Sequence, residues 1–137
     1  MALNPNAPTI YPTLRYNNAA AAITFLTEAL GLVTREVHEG PDGRIAHAEL
    51  SWGTGLVMIS SRTDPPGPFD TGICTLYLAT DDPDGLHARA VAAGAEIVME
   101  LTDQDYGSRD FAVSDPEGNR WCFGTYQPAA IVPAAPS

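Results

Sequence analysis

The chain has 137 residues, 45% of them hydrophobic, and a formal net charge of −10 at pH 7. This length and composition predict one globular domain with its own core, and no apolar run approaches the roughly 20 residues of a membrane span. The acidic balance argues against nucleic acid and anionic membrane surfaces as partners, because proteins bind both through basic patches.

Cysteine content and charge bear on compartment and ligand. No basic region followed by an apolar stretch opens the chain, and Cys74 and Cys122 are too few for a disulfide framework or a zinc cluster. We therefore expect a cytoplasmic protein. The negative charge has two interpretations: it keeps the protein soluble, or it steers a cationic small molecule into a cleft.

In chain order, the first half predicts the elements β-α-β-β-β. A loose arm over residues 1–8 precedes a β-rich segment, Thr9–Tyr16. Asn17 or Asn18 is the predicted cap of a helix over Ala19–Leu30. Three strands follow, separated by glycine-containing turns: Leu32–His38, Ile45–Ser51 and Leu56–Ser60.

The second half begins after a Pro- and Asp-rich linker over residues 62–71 and predicts the same order of elements. Asp82 followed by Pro83 indicates the start of a helix. The other predicted segments are a strand over Gly72–Thr80, a strand over Glu96–Leu101, a hairpin over 106–124 and a frayed tail over 127–137.

The two halves are related by a constant shift. Gly31 and Gly94, which end the two predicted helices, lie 63 residues apart, and each precedes an extended run. The same shift places Thr13–Tyr16 on Leu76–Ala79. We therefore predict one domain made of two βαβββ modules, the first over 9–61 and the second over 72–126.

The hairpin carries the most specific motif in the chain. Its sequence Asp-Pro-Glu-Gly at 115–118 predicts a tight turn, because proline fixes φ at the second place and glycine lets the chain leave at the fourth. In the strand after the turn, Trp121 and Phe123 alternate with Arg120 and Cys122. One face is therefore apolar and the other is mixed.

The paired modules and the Asp-Pro-Glu-Gly-Asn-Arg-Trp motif at 115–121 resemble the vicinal oxygen chelate superfamily. This family includes glyoxalase I, bleomycin-resistance and fosfomycin-resistance proteins, and extradiol dioxygenases. The resemblance covers residues 9–126. It implies an α+β fold in which two tandem βαβββ modules form a curled mixed sheet, a cup, with helices outside and the ligand inside. It also implies a homodimer.

Strand alternation agrees independently with such a cup. One parity is apolar and suited to packing under helices; it comprises Pro12, Leu14, Tyr16, Cys74, Leu76, Leu78, Trp121 and Phe123. The opposite parity is polar, aromatic and soft, a mixture typical of a pocket lining. The predicted ligand-binding residues are Tyr11, Arg15, His47, Glu49, Met58, Thr75, Tyr77, Arg109, Cys122 and Tyr126. Arg15 and Arg109 are included as candidates for gripping an anionic or planar group.

Metal-using members of the family place His, Gln or Glu ligands on four strands of the cup. By the resemblance, these positions fall on Tyr11, Met58, Thr75 and Cys122, and none of them is a His or a carboxylate. A divalent ion needs at least two or three such ligands. We therefore predict no metal and no other cofactor.

Four of the candidate residues have alternative roles. His47 and Glu49 share a strand face. They have three interpretations: a general base with its orienting carboxylate, two ligands of a relocated metal, or plain polar residues near the rim. Cys122 is either a nucleophile activated by a neighbouring cation or imidazole, or an inert buried cysteine. Arg109 has an alternative role in a structural ion pair, with an aspartate at 103, 105 or 110.

Three functions are compatible with these residues and the resemblance. The first is a metal-free binding protein of the bleomycin-resistance type, which holds a small cationic or aromatic molecule in the cup. The second is an enzyme, a glyoxalase-type lyase or isomerase or a dioxygenase, with a shifted site around His47, Glu49 and Cys122. The third is a dimeric module whose cup is filled by its own side chains.

Overall fold

The computed structural model of the chain describes residues 2–130, with two α-helices and eight strands in that range. The strands of the first half are β1 (Thr13–Tyr16), β2 (Val33–Glu39), β3 (Ile45–Trp52) and β4 (Gly55–Ser61). Those of the second half are β5 (Thr75–Ala79), β6 (Glu96–Asp103), β7 (Arg109–Ser114) and β8 (Arg120–Gly124). The helices are α1 (Ala19–Glu28) and α2 (Pro83–Ala92). Within the described range, neither helix is long and apolar enough to cross a lipid bilayer.

Each half forms its own four-stranded mixed sheet, in the orders β1-β4-β3-β2 and β5-β8-β7-β6. β1 runs parallel to β4 and β5 runs parallel to β8, and the other strand pairs are antiparallel. The repeated order confirms the predicted α+β fold of two tandem βαβββ modules. The two sheets do not close into one barrel, so β1 and β5 each keep one edge without a partner strand.

Both helices begin at the side-chain caps that the sequence predicted. The Asn18 side chain accepts a hydrogen bond from the Ala21 N–H at 3.1 Å. The Asp82 side chain accepts one from the Gly85 N–H at 3.0 Å, with proline at the first helical position.

The first strand of each module is shorter than its sequence predicts. β1 begins at Thr13 instead of Thr9, and β5 begins at Thr75 instead of Gly72. Proline at position 12 has no N–H to donate to a ladder, and only its carbonyl continues the pairing, by accepting the Met58 N–H at 2.9 Å. Tyr11 therefore lies before the strand on which it was predicted.

The predicted tail over 127–137 has no regular element at 127–130, and from residue 131 onward it lies outside the described residues. Of the predicted N-terminal arm, residues 2–8 hold a turn and no helix or strand, and Met1 lies outside the described residues.

One hydrophobic core joins the two modules. It is built from α1 and from the helix-facing parity of both sheets; its largest fully buried side chains are Trp121, Tyr16, Phe111, Phe123, Leu26, Leu30, Leu50, Ile59 and Val113. Burying a large apolar side chain of this kind is worth about 1.5–3 kcal/mol. Because this parity of both sheets faces the shared core, the opposite parity of each sheet faces away from it.

Candidate functional site

The Asp-Pro-Glu-Gly turn holds the two modules together. Asp115 is 3% exposed, and its Oδ2 accepts hydrogen bonds from the Tyr16 hydroxyl at 2.6 Å and the Trp121 indole N–H at 3.1 Å. Its Oδ1 accepts the backbone N–H groups of Glu117 and Asn119. Burial, and then the hydrogen bond to Asp115 and the charge of that carboxylate, raise the pKa of Tyr16. The Tyr16 hydroxyl therefore stays protonated as a donor to the carboxylate.

Glu117, two residues after Asp115 in the turn, contacts the start of the first helix. The Glu117 carboxylate accepts the backbone N–H groups of Asn17 at 2.8 Å and Asn18 at 2.9 Å, at the start of α1. A carboxylate is favourable there, because a helix N-terminus carries unpaired N–H groups and a partial positive charge. The most specific motif of the sequence thus connects the two modules through hydrogen bonds.

Four predicted ligand-binding residues share the outward face of the first sheet: Arg15, His47, Glu49 and Met58. Met58 pairs with Glu49 across β4 and β3, and His47 pairs with His38 across β3 and β2. The His47 Nε2 lies 2.8 Å from the Glu49 Oε2. The His47 ring also stacks on the ring of His38, with centroids 6.3 Å apart.

Arg15 is drawn toward the linker. Its guanidinium donates to the Asp70 Oδ1 at 3.4 Å. The Asp70 carboxylate also accepts the Thr63 hydroxyl at 2.5 Å and the Gly67 N–H at 2.6 Å. These hydrogen bonds, more than the guanidinium, lower the pKa of Asp70 to about 2. Asp70 therefore organises the loop between the modules and engages the arginine that was predicted to grip a ligand.

The outward face of the second sheet carries Thr75, Tyr77 and Cys122, and Tyr77 pairs with Cys122 in the β5–β8 register. Burial raises the pKa of the Cys122 thiol, and the charge of Asp110 raises it further. The thiol is therefore protonated at neutral pH, which favours the inert cysteine over the activated nucleophile.

An aspartate that the sequence offered only as a partner for Arg109 lies at one end of this face. Asp110 on β7 is 6% exposed, and its carboxylate accepts the Ser108 hydroxyl and, at 3.2 Å, the Tyr106 hydroxyl. The carboxylate lies over Gly124, where an added Cβ would collide with it and with the Tyr77 hydroxyl.

Three tyrosines surround this carboxylate, and we name them the tyrosine cluster: Tyr77, Tyr106 and Tyr126. The Tyr77 hydroxyl donates to the Tyr126 carbonyl at 2.7 Å, and the rings of Tyr106 and Tyr126 meet edge to face with centroids 6.0 Å apart. The three side chains are 43%, 67% and 53% exposed, in sequence order. Desolvation of the hydroxyl end, followed by its hydrogen bond to Asp110, raises the pKa of Tyr106.

Arg109 points away from this cluster. Its guanidinium donates to Asp84 at 2.8 Å and to Asp103 at 3.1 Å, and these bonds raise its pKa. Arg109 therefore has the structural ion pair that was its alternative role. Asp103 was among the partners expected from the sequence, and Asp84 is an additional one. Asp110 itself forms no ion pair with any residue between 2 and 130.

A cleft of about 410 Å³ lies where the turn between β3 and β4 approaches β5. Its walls are mainly apolar and include Trp52, Leu56, Leu76 and Leu78. The Trp52 indole N–H donates to the Ala79 carbonyl at 2.8 Å, so this ring is fixed against the open edge of β5. Of the ten predicted ligand-binding residues, Tyr77 alone lines the described walls of this cleft.

The four positions that the resemblance assigns to a metal do not suit a divalent ion. Tyr11 precedes β1, Met58 offers a thioether, Thr75 an exposed hydroxyl and Cys122 a protonated thiol. Over residues 2–130, no three His, Cys, Asp or Glu side chains are grouped so that they could hold an ion. The donors present therefore do not fit the metal that other members of such a family use.

The structure thus divides the predicted residues into two groups, one on each sheet. Met58 belongs to the first sheet, and Thr75 and Cys122 belong to the second. Within the described part of the chain, no hydrogen bond joins a predicted residue of one sheet to a predicted residue of the other. The single wall expected for these residues is therefore divided between two sheets in one chain.

Asp110 and Tyr106 are the residues that sequence reasoning missed. A signal for Asp110 was present, because on β7 it alternates with Phe111 and Val113, which are fully buried, and so shares the parity of the outward face. Tyr106 lies in the loop before β7, where strand alternation gives no direction for a side chain.

Known proteins resemble this chain in sequence and in structure. The model of the family described as "Glyoxalase/Bleomycin resistance protein/Dioxygenase superfamily" matches residues 10–123. An uncharacterized protein of Mycobacterium bovis is 33% identical over 132 residues, which cover 90% of this chain and 86% of the relative.

Two solved structures illustrate the likeness of fold. TioX from Micromonospora sp. ML1 superposes with a TM-score of 0.73 at 29% identity, over 86% of this chain and 98% of TioX. TnmS3, an antibiotic binding protein from Streptomyces sp. CB03234, superposes with a TM-score of 0.67 at 20% identity, over 90% of this chain and 96% of TnmS3. At that identity, the likeness to TnmS3 concerns the fold alone.

Proposed function

This chain belongs to the glyoxalase/bleomycin resistance protein/dioxygenase superfamily, and from that premise we propose that it is a metal-free protein that binds a small aromatic or cationic molecule. The observation that carries the proposal is the contrast between the two parities of each sheet. One parity packs into a shared core, while the other holds polar and aromatic side chains, of which Thr75 and Tyr77 are exposed. An uncovered, partly aromatic sheet face is suited to a ligand or a partner.

The cup of this proposal forms between two copies of the chain. The two sheets are separate and share one core through their helix-facing parity, so each sheet contributes half of the lining in this proposal. β1 and β5 have open edges, at which a second copy can approach by a two-fold axis. The first sheet of one protomer then faces the second sheet of its partner, and two identical cups result.

Binding is favoured over catalysis by the state of the reactive groups. The Cys122 thiol has a raised pKa, and the guanidinium groups of Arg15 and Arg109 are engaged by carboxylates. A thiol without a thiolate and cations that already have partners are poor catalytic groups.

One contact favours a second candidate function. The His47 Nε2 lies 2.8 Å from the Glu49 Oε2, which is the arrangement of a general base and an orienting carboxylate. A lyase, isomerase or dioxygenase with a site shifted to this pair is the alternative. Turnover of the methylglyoxal–glutathione adduct that is lost in His47→Gln would favour it over binding.

Titration with a panel of neutral and cationic aromatic natural products tests the binding proposal. We expect a dimer in sedimentation analysis and saturable heat release in calorimetry with at least one neutral or cationic compound, at one site per protomer. Met58→Arg places a long charged side chain on the outward face and should abolish binding, whereas Thr24→Ala on the exposed side of α1 should not. A monomer that binds no compound of the panel contradicts the proposal.

A further inference from the structure

Asp110 has the features of a carboxylate that is built to meet a cation. An ionised carboxylate removed from water is unfavourable unless charges or hydrogen bonds compensate it. Asp110 is only 6% exposed, and its hydrogen-bond partners are two neutral hydroxyls, those of Ser108 and Tyr106. The adjacent Arg109 is turned to Asp84 and Asp103 instead.

The tyrosine cluster supplies a matching environment around that carboxylate. Tyr77, Tyr106 and Tyr126 are all between 43% and 67% exposed, and the hydroxyl or backbone contacts among them hold the rings together. The face of a tyrosine ring attracts a cation, and several rings around one point form an aromatic cage. The Asp110 carboxylate contacts the Tyr106 hydroxyl and lies with the Tyr77 hydroxyl over Gly124, so an acidic group stands beside these rings.

Gly124 shows that this arrangement requires space below the carboxylate. An added Cβ at position 124 would collide with the Asp110 Oδ1 and with the Tyr77 hydroxyl. The backbone at position 124 does not have a positive φ, so its conformation does not require glycine. The absence of a side chain at position 124 therefore leaves room for Asp110 and Tyr77 to come close to the backbone there.

We propose that Asp110 and the tyrosine cluster form a subsite for an alkylated ammonium group of the ligand. An alkylated ammonium suits the subsite better than a primary amine, because the rings offer faces and both carboxylate oxygens already accept hydroxyl groups. The net charge of −10 favours the approach of a cation. This inference rests on the proposed function, since the rest of the ligand would occupy the cup.

Choline and its neutral isostere 3,3-dimethylbutan-1-ol test the subsite directly. Both are titrated into the full-length protein and followed by the amide chemical shifts. We expect choline to bind about tenfold more tightly than the alcohol, and Asp110→Asn to remove that preference. The matched control is Asp103→Asn, which removes an equal charge from a carboxylate that is 79% exposed and outside the cluster.

A second variant guards against a folding defect in Asp110→Asn. Tyr126→Leu changes an exposed ring, leaves the backbone carbonyl that Tyr77 uses, and should weaken choline binding about fivefold without lowering the melting temperature. Equal affinity for choline and the alcohol, or choline binding that both variants leave unchanged, overturns the subsite.

The subsite and the cup fail in different ways. If neutral aromatic compounds saturate the dimer and choline shows no preference over the alcohol, the subsite is wrong and the cup remains. If choline binds through Asp110 while the protein is monomeric and binds no aromatic compound, the cup is wrong and the subsite remains. If nothing binds, both are wrong.

Discussion

At the scale of the residue, two buried carboxylates have different roles: one stabilises the fold and the other belongs to the proposed subsite. Asp115 in the turn after β7 and Asp110 on β7 are both buried, yet Asp115 receives five donors that include the Tyr16 hydroxyl, while Asp110 receives two hydroxyls. The first is satisfied by the protein itself. The second has two neutral donors and no cationic partner within residues 2–130.

We predict that Asp115→Asn lowers the free energy of unfolding by about 2–3 kcal/mol, because the amide NH₂ meets donors where the carboxylate accepted them. Chemical denaturation measures the loss. Glu117→Gln is the matched control in the same turn. It keeps one acceptor for the start of α1 and should cost at most about 1 kcal/mol. Equal stability of Asp115→Asn and the native protein would contradict the assigned role.

The raised pKa of Tyr16 predicts that the folded protein loses stability at alkaline pH. Its pKa in the folded state lies above the unfolded value of about 10, so folding favours the neutral phenol. The stabilisation is complete below pH 10 and is lost as the pH rises toward the folded pKa. Above pH 10 the free energy of unfolding should fall by up to about 1.4 kcal/mol per pH unit from this group.

Denaturant melts between pH 8 and 11 check the alkaline effect. In Tyr16→Phe the protein is less stable at pH 8, but the part of the slope due to this phenol should disappear. Tyr11→Phe is the control, because Tyr11 lies before β1 and outside the core. A slope that Tyr16→Phe leaves unchanged would mean that another group causes it.

At the scale of the element, the loop between the modules depends on one carboxylate. Asp70 accepts the Thr63 hydroxyl and the backbone N–H groups of Thr63 and Gly67, and it also holds Arg15. No helix or strand is formed between Arg62 and Cys74, so these bonds supply what regular structure does not.

We predict that Asp70→Asn increases the rate of limited proteolysis within residues 62–71 several-fold at neutral pH. The folded pKa of Asp70 is about 2, below the unfolded value of 3.8, so its contribution is present above about pH 4 and is lost as the pH falls toward 2. Asp64→Asn, in the same loop, is the control. Cleavage at equal rates in both variants and the native protein would exclude Asp70 as the anchor.

At the scale of the whole molecule, the shared core decides where a ligand can bind. Tyr16 and Asp115 bring the modules together across 99 residues of sequence. The common core takes up the helix-facing parity of both sheets, so the outward faces remain for the proposed ligand. In the proposed arrangement, a cup that uses both faces is built from two copies.

Mixing two inactive variants tests whether the cup lies between copies. Met58→Arg blocks the first sheet and Cys122→Arg blocks the second, so neither dimer alone should bind ligand. In an equimolar mixture, half of the dimers are mixed, and each has one cup with two intact sheets. We expect binding to return to about a quarter of the native number of sites.

Calorimetry on the mixed sample gives the number of sites. If each cup lay within a single chain, every chain of the mixture would carry a blocked sheet and no binding would return. A mixture that forms mixed dimers without recovering any sites would therefore contradict the shared cup.

Particular residues show how far prediction from sequence reaches. Asn18 and Asp82 were found as helix caps, because a cap depends on residues three positions away. The outward parity of Cys122 and Tyr77 followed from alternation alone. Arg15 and Arg109 were predicted as ligand grips, yet carboxylates at positions 70, 84 and 103 engage them. Those partners lie on other elements, and no local rule places them.

The sequence by itself determined the elements, their duplication and, for β1, β5 and β8, the side of the strand that faces a helix. These depend on backbone sterics and on periods of two or 3.6 residues, which act over a few positions. Only the tertiary structure decided that the Asp-Pro-Glu-Gly turn joins the modules and that Asp110 meets the Tyr106 hydroxyl and lies near that of Tyr77. Both arrangements depend on how separate elements dock, and docking is settled by core packing and hydrogen bonds between residues that are distant in sequence.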